Sequence, residues 1–153
     1  MSGFESQNTA ERQVVEFLHA YRAAFESFDA ERIVDCFAFP FQLTSDADQV
    51  SIVSVPAPDA WKAQVTTLLA AYRMIGVTSA YPVEIRVTVI SPSVLMARVH
   101  WRLLRADQST VYQFHGNYTI VLLADALRIS AIVHDETPRL RAAVAQAKAS
   151  TGK

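Results

Sequence analysis

Three of the chain's four histidines, His100, His115 and His134, fall inside the stretch Val94–Glu136, and two carboxylates, Asp135 and Glu136, follow the last of them directly. Imidazoles and carboxylates brought together can ligate a metal ion or pass a proton. They can equally be the solvated face of a sheet, so the choice depends on which side of which element each one occupies. "YPVEIRVTVI", "VLMARVHWRLL", "TVYQFHGNYTIVLL" and "ALRISAIVH" alternate apolar and polar residues, broken by the turn signals "SPS", "ADQS" and "ADA". This is the period of a half-buried antiparallel meander.

Hairpin loop length fixes which residues sit opposite one another. A two-residue loop at Asp107–Gln108 pairs Trp101 with Phe114, Val99 with Gly116 and Ala97 with Tyr118. A three-residue loop at Ser91–Ser93 pairs Val87 with Ala97, Ile85 with Val99 and Val83 with Trp101. A two-residue loop at Asp125–Ala126 pairs Leu122 with Ile129, Ile120 with Ala131 and Tyr118 with Val133. All three choices put the apolar set on one face, and a one-residue slip in any strand would invert it.

The opposite face then carries a row Glu84, His100, His115, Glu136, flanked by Arg98 with Asn117 and His134, and by Arg102 with Gln113. Four residues in one row span three strand spacings, roughly 14 Å, too far to converge on one ion. The reading is a hydrogen-bonded polar face or a dimer contact, with no metal ligated. On the apolar face one residue is out of character. Asp135 falls there by parity, opposite Gly116, where a glycine leaves space above the sheet. A carboxylate in an apolar site has its pKa raised by desolvation and can serve as a general acid or base. The alternatives are a β-bulge near "VHDE" that turns Asp135 outward and brings His134 in, or an Asp135 that caps the last helix.

These strands need helices to cover them. "NTAERQVVEFLHAYRAAFESF" spaces Val14, Leu18, Tyr21, Phe25 and Phe28 at threes and fours, with Asn8 and Glu11 as a capping box. A second helix follows Asp29 through "AERIVDCF" and must end before Pro40. Two short strands flank "SDAD". The third helix, capped by Asp59 and closed by Gly76, bears Trp61, Val65, Leu68, Leu69 and Tyr72. Thr137–Pro138 opens a short final helix whose apolar face is thin. Helices segregated before consecutive strands mean α+β, in one domain over residues 9–136, with a frayed start at 1–8 and a helical tail at 137–153. Tyr21 is a core residue or a pocket donor; Trp61, Trp101, Phe114 and Tyr118, joined by Phe39 and Tyr72, are walls for an apolar cavity or plain packing.

Bulk properties narrow the field. The formal charge of −1 argues against nucleic acid as the main partner. The one cysteine, Cys36, has no internal partner, which suits a reducing, cytoplasmic setting, and it reads as a small buried hydrophobe. The first residues have neither the basic start nor the apolar run of a signal peptide, and no stretch approaches the length of a membrane span. No phosphate loop, CxxC or GxSxG appears, and no cofactor is called for.

The order and content of "FLHAYRAAFESFDAERIVDCFAFP", "AWKAQVTTLLAAYRMIG" and "YQFHGNYTIVLLADALRISAIVHDE" resemble the nuclear transport factor 2-like, or SnoaL-like, superfamily of cone-shaped α+β proteins over about residues 9–136. That resemblance implies a curved sheet around the helices, a cavity between them, and homodimers formed through the outer sheet face. It covers ketosteroid isomerases, scytalone dehydratase, limonene-epoxide hydrolase and polyketide cyclases, and also members without catalysis. The isomerase base precedes a proline after the second helix; here that place resembles Phe39 before Pro40, with no carboxylate. The isomerase tyrosine is loosely matched by Tyr21. The strand-borne acid would fall near Tyr118 or Thr119, where none stands, and the hydrolase Asp–Arg–Asp set has no counterpart. The expectation is therefore a small-molecule pocket protein of lyase, isomerase or cyclase type, with Asp135 as acid–base residue and Tyr21 as donor. The alternative is a non-catalytic dimeric binding module.

Overall fold

In the computed structural model, residues 7–151 are described. The elements run α1 (Gln7–Glu26), α2 (Ala30–Val34), β1 (Phe37–Asp46), β2 (Val50–Val55), α3 (Pro58–Ile75), β3 (Ser79–Ser91), β4 (Val94–Leu104), β5 (Thr110–Leu123), β6 (Ala126–His134) and α4 (Thr137–Thr151). This is the expected α+β architecture. The six strands form one curved sheet in the order β2-β1-β6-β5-β4-β3, antiparallel throughout except for the parallel pair β1–β6.

The helices cover the concave face because their apolar stripes can be buried nowhere else. Val14, Leu18 and Tyr21 of α1 and Trp61, Val65, Leu69 and Tyr72 of α3 are buried. They meet Leu95, Ala97, Val99, Trp101 and Leu103 of β4 and Phe114, Tyr118 and Ile120 of β5 in one core. Asp29 caps α2 as expected, its carboxylate accepting from the Glu31 and Arg32 amides. Gly76 closes α3 at φ 81°, where a glycine carries no Cβ penalty.

Several boundaries differ from the sequence reading. Residues 1–6 of the expected frayed start lie outside the described residues, while Gln7 and Asn8 are already helical, so Asn8 is not a cap. Helix α2 stops at Val34 because the chain turns at once into β1: the Ile129 amide donates to the Cys36 carbonyl at 2.8 Å, and Phe37 pairs with Ile129. Pro40 falls in the gap between Phe37 and Gln42 where the β1–β6 register shifts, a place where its missing N–H costs no ladder bond. The cap of α3 is Ala57 with Pro58 at the first helical position; Asp59 lies in the first turn, favourable to the helix dipole. The last helix is longer than expected, 15 residues, yet none of them is buried.

The β4–β5 register is the expected one, with Trp101 opposite Phe114, Val99 opposite Gly116 and Ala97 opposite Tyr118. The β3–β4 register agrees at Val87–Ala97 and Ile85–Val99, then shifts at Val83 so that Pro82 meets Trp101. Strand β6 departs further. Its hairpin turns at Ala124–Asp125, one residue earlier than expected, with both residues at positive φ (48° and 66°), and Leu123 pairs with Ala126. Ile120 therefore faces Ile129. The ladder then skips Ser130, so Thr119 faces Ala131, Tyr118 faces Ile132 and Gly116 faces His134. A bulge of one residue exchanges the faces of everything beyond it.

Candidate functional site

That bulge decides which carboxylate enters the cone. Beyond Ser130 the even-numbered side chains point at the helices: Ile132, His134 and Glu136 line a cavity, whereas Val133 is exposed. The expectation that Asp135 faces the pocket is corrected. Asp135 lies on the outer face, where its Oδ1 accepts the His115 amide at 2.7 Å and Arg139 pairs with it at 3.6 Å. The Arg139 guanidinium also donates to the Asp135 carbonyl at 2.8 Å, which ties the first turn of α4 to the end of the sheet. His134, expected on the outer face, is inside, and Glu136, expected in the outer row, is buried.

The cavity measures about 240 Å³ and sits between α1, α3, the start of α4 and the inner faces of β4, β5 and β6. Tyr21, Trp61, Tyr72, Trp101, Phe114 and Tyr118 all line it, as expected for them. Phe39 does not; it falls in the irregular stretch of β1 and packs half-buried against the core. Gln64 and Thr78 are exposed wall residues and mark the rim. Glu26 also lines the wall, held by Arg22 at 3.3 Å and accepting the Ala80 amide at 3.0 Å.

Glu136 is the one buried charged residue among those described, 8% exposed. Its Oε2 accepts two hydroxyls, Tyr72 at 2.5 Å and Tyr112 at 2.7 Å. Its Oε1 has no partner among the described residues, and it is not sealed off, because the only sealed and unpartnered side-chain polar atom among them is Trp61 Nε1. Oε1 is thus the oxygen left for the cavity. Burial pushes the carboxyl above its ordinary value, and the two tyrosine hydroxyls oppose that rise without cancelling it. Both tyrosines are held protonated, chiefly by burial and then by the neighbouring carboxylate, so each keeps a hydroxyl proton to donate to Oε2.

His134 completes the polar group. Its Nδ1 accepts the Glu136 amide at 3.1 Å, which fixes Nε2 as the protonated nitrogen of the neutral ring. Burial holds the imidazole below its usual pKa and therefore neutral. The Tyr118 hydroxyl accepts Trp101 Nε1–H at 2.8 Å. Tyr21, with its hydroxyl pushed far up by burial, packs edge-on against Phe25, Phe37 and Tyr118. Cys36, half-buried, has its thiol pushed up to about 11 by desolvation and is no nucleophile at neutral pH.

The outer face holds the rest of the expected row. His100 and His115 stack at 4.5 Å and 23°, with Glu84, Arg98, Arg102 and Asn117 on their neighbouring positions. Sequence reasoning missed Glu136 and Tyr112, and held the inward turn of His134 only as the alternative that a bulge would bring. The signal available was the bulge alternative for "VHDE"; carried one residue further, it places Glu136 inside together with His134.

The match to known proteins is clear at the level of family. Residues 10–137 match the model of a family described as NTF2-like protein (DUF6841). The chain belongs to that family. No curated protein matches it. Among solved structures it is similar to a point variant of Rv3472, a function unknown protein from Mycobacterium tuberculosis, with a TM-score of 0.67 at 12% identity over 92% of this chain and 89% of that one. An NTF2-like protein with a cystatin-like fold from Novosphingobium aromaticivorans matches with a TM-score of 0.64 at 15% identity, covering 92% and 98% of the two chains. A candidate scytalone dehydratase from the same organism matches with a TM-score of 0.63 at 10% identity, over 82% of each chain. At these identities the likeness is one of fold. No helix among the described residues is long and apolar enough to cross a membrane.

Proposed function

We propose that this NTF2-like chain binds a small, largely apolar molecule in its cavity and moves a proton on it, with Glu136 as the acid–base group. The observation that carries the reading is the buried carboxyl in an aromatic cavity, with one oxygen held by Tyr72 and Tyr112 and the other left free. A cavity of about 150 Å³ is enough for benzene. The larger volume here, about 240 Å³, suits a molecule of one or two rings. Desolvation brings the carboxyl's ionisation closer to neutrality, which is where a group that both takes and returns a proton works best. The tyrosines fix the orientation of the carboxyl, and His134, through Nε2–H, is a neutral donor beside it. Proton transfer of this kind serves isomerase, lyase and cyclase reactions alike. The fold neighbour described as a candidate scytalone dehydratase agrees with such a use of the scaffold.

The test uses 2-tetralone, a two-ring ketone whose acidic α-protons exchange with deuterium through the enol. Proton NMR in heavy water should show the wild-type chain accelerating that exchange. The rate should rise with pH as Glu136 ionises, with a midpoint above 4.5, because the carboxylate is the base. Glu136→Gln should lower the accelerated rate by about 100-fold or more, the usual worth of a positioned base. Equal rates in the two chains would remove Glu136 from any such chemistry.

A further inference from the structure

We infer that Gly116 sets the size limit of the cavity by making room for the ring of Tyr118, and so acts as the specificity-determining residue of the pocket. The inference rests on the reading of the cavity as a ligand site. Gly116 and Tyr118 are two apart on β5 and share its inner face. A Cβ built on Gly116 would stand 2.8 Å from the Tyr118 hydroxyl oxygen and 2.9 Å from Cε1 and Cζ of the same ring. The far edge of the tyrosine therefore lies directly over the glycine, in the place a side chain would occupy.

Two contacts hold it there. Trp101, on the neighbouring strand, donates to the Tyr118 hydroxyl at 2.8 Å, and Tyr21 of α1 meets the ring edge-on at 6.1 Å. The consequence for the cavity follows from what surrounds the ring. The sheet is beneath it, and Tyr118 itself is a wall of the cavity. With the space over Gly116 filled, the ring can only move off the sheet, toward the volume a ligand would use. The clash is with the end of one side chain and not with backbone, so the ring must shift, at the cost in stability usual for overpacking, and the pocket loses depth. No turn, close backbone approach or positive φ explains a glycine at this position; the ring does.

Fluorine NMR with two rigid probes, fluorobenzene and 1-fluoronaphthalene, tests this. The wild-type chain should take both. Gly116→Ala should keep fluorobenzene and bind 1-fluoronaphthalene about tenfold more weakly or worse, the cost of forcing one ring into an overpacked space. In the double variant Gly116→Ala with Tyr118→Ala, the added methyl meets no ring, and naphthalene binding should return to that of Tyr118→Ala alone. A purely structural glycine would instead weaken both probes together, or lower stability without changing their ratio. An unchanged ratio in Gly116→Ala, or a double variant that stays weak, overturns the inference while leaving the cavity reading intact. A wild-type chain that takes neither probe overturns the cavity reading and this inference with it.

Discussion

At the residue scale, folding places one carboxyl at a disadvantage. Glu136 is raised above its ordinary 4.5, chiefly by desolvation. A group whose pKa is raised on folding contributes stability that is whole below its unfolded value and is lost as pH climbs through its folded value. Wild type should therefore lose stability from about pH 4.5 upward through this group, and Glu136→Gln should not. The amide oxygen can still accept both tyrosine hydroxyls, so the packing is kept. Thermal melts of the two chains should coincide near pH 4 and diverge as pH rises, with Gln the more stable at pH 8. His134, whose lowered pKa has its own pH dependence, is present in both and drops out of the comparison. A Gln variant less stable at every pH would mean that the carboxylate is a stabilising partner and not a strained one. A site that is more stable without its functional group is the expected trade between stability and activity.

At the element scale, β6 is where sequence and structure part, and the reason is local. The pairings of β4 and β5 were legible because the alternation of apolar residues over eleven and fourteen positions left one register consistent with burial. In β6 "ALRISAIVH" offers Leu127, Ile129, Ala131 and Val133 as an unbroken alternation, which hides the bulge at Ser130. The turn is just as quiet: Ala124 and Asp125 take the positive φ values of a type I′ hairpin without the Asn-Gly or Asp-Gly that usually announces one. An alanine in that conformation is strained, so Ala124→Asn should stabilise the chain by about 0.5–1 kcal/mol in urea unfolding. A destabilisation would place the turn elsewhere. Helix α2 ends three residues before the reading of "DCF" as helix, since the pairing of Phe37 with Ile129 outweighs its helical propensity, and the cap of α3 lies two residues before Asp59 because Pro58 takes the first helical position.

At the scale of the whole molecule, the α+β cone, the polar outer face of β3–β5 and six of the expected cavity residues were readable from the sequence, because burial repeats every two residues along the sheet and every three or four along α1 and α3. The identity of the inward carboxylate was not, because it depends on the single residue that breaks that period. The cone gathers side chains distant in sequence: Tyr72 from α3, Tyr112 from β5 and Glu136 from the β6–α4 junction meet at one oxygen. The most direct test of this convergence is a carbon-13 NMR titration of the Glu136 carboxyl, with and without 2-tetralone. The midpoint should lie above 4.5, rise further in Tyr112→Phe, where one opposing hydroxyl is gone, and the resonance should change when the ketone is added. A midpoint at or below 4.5, indifferent to both the tyrosine and the ketone, would contradict that convergence.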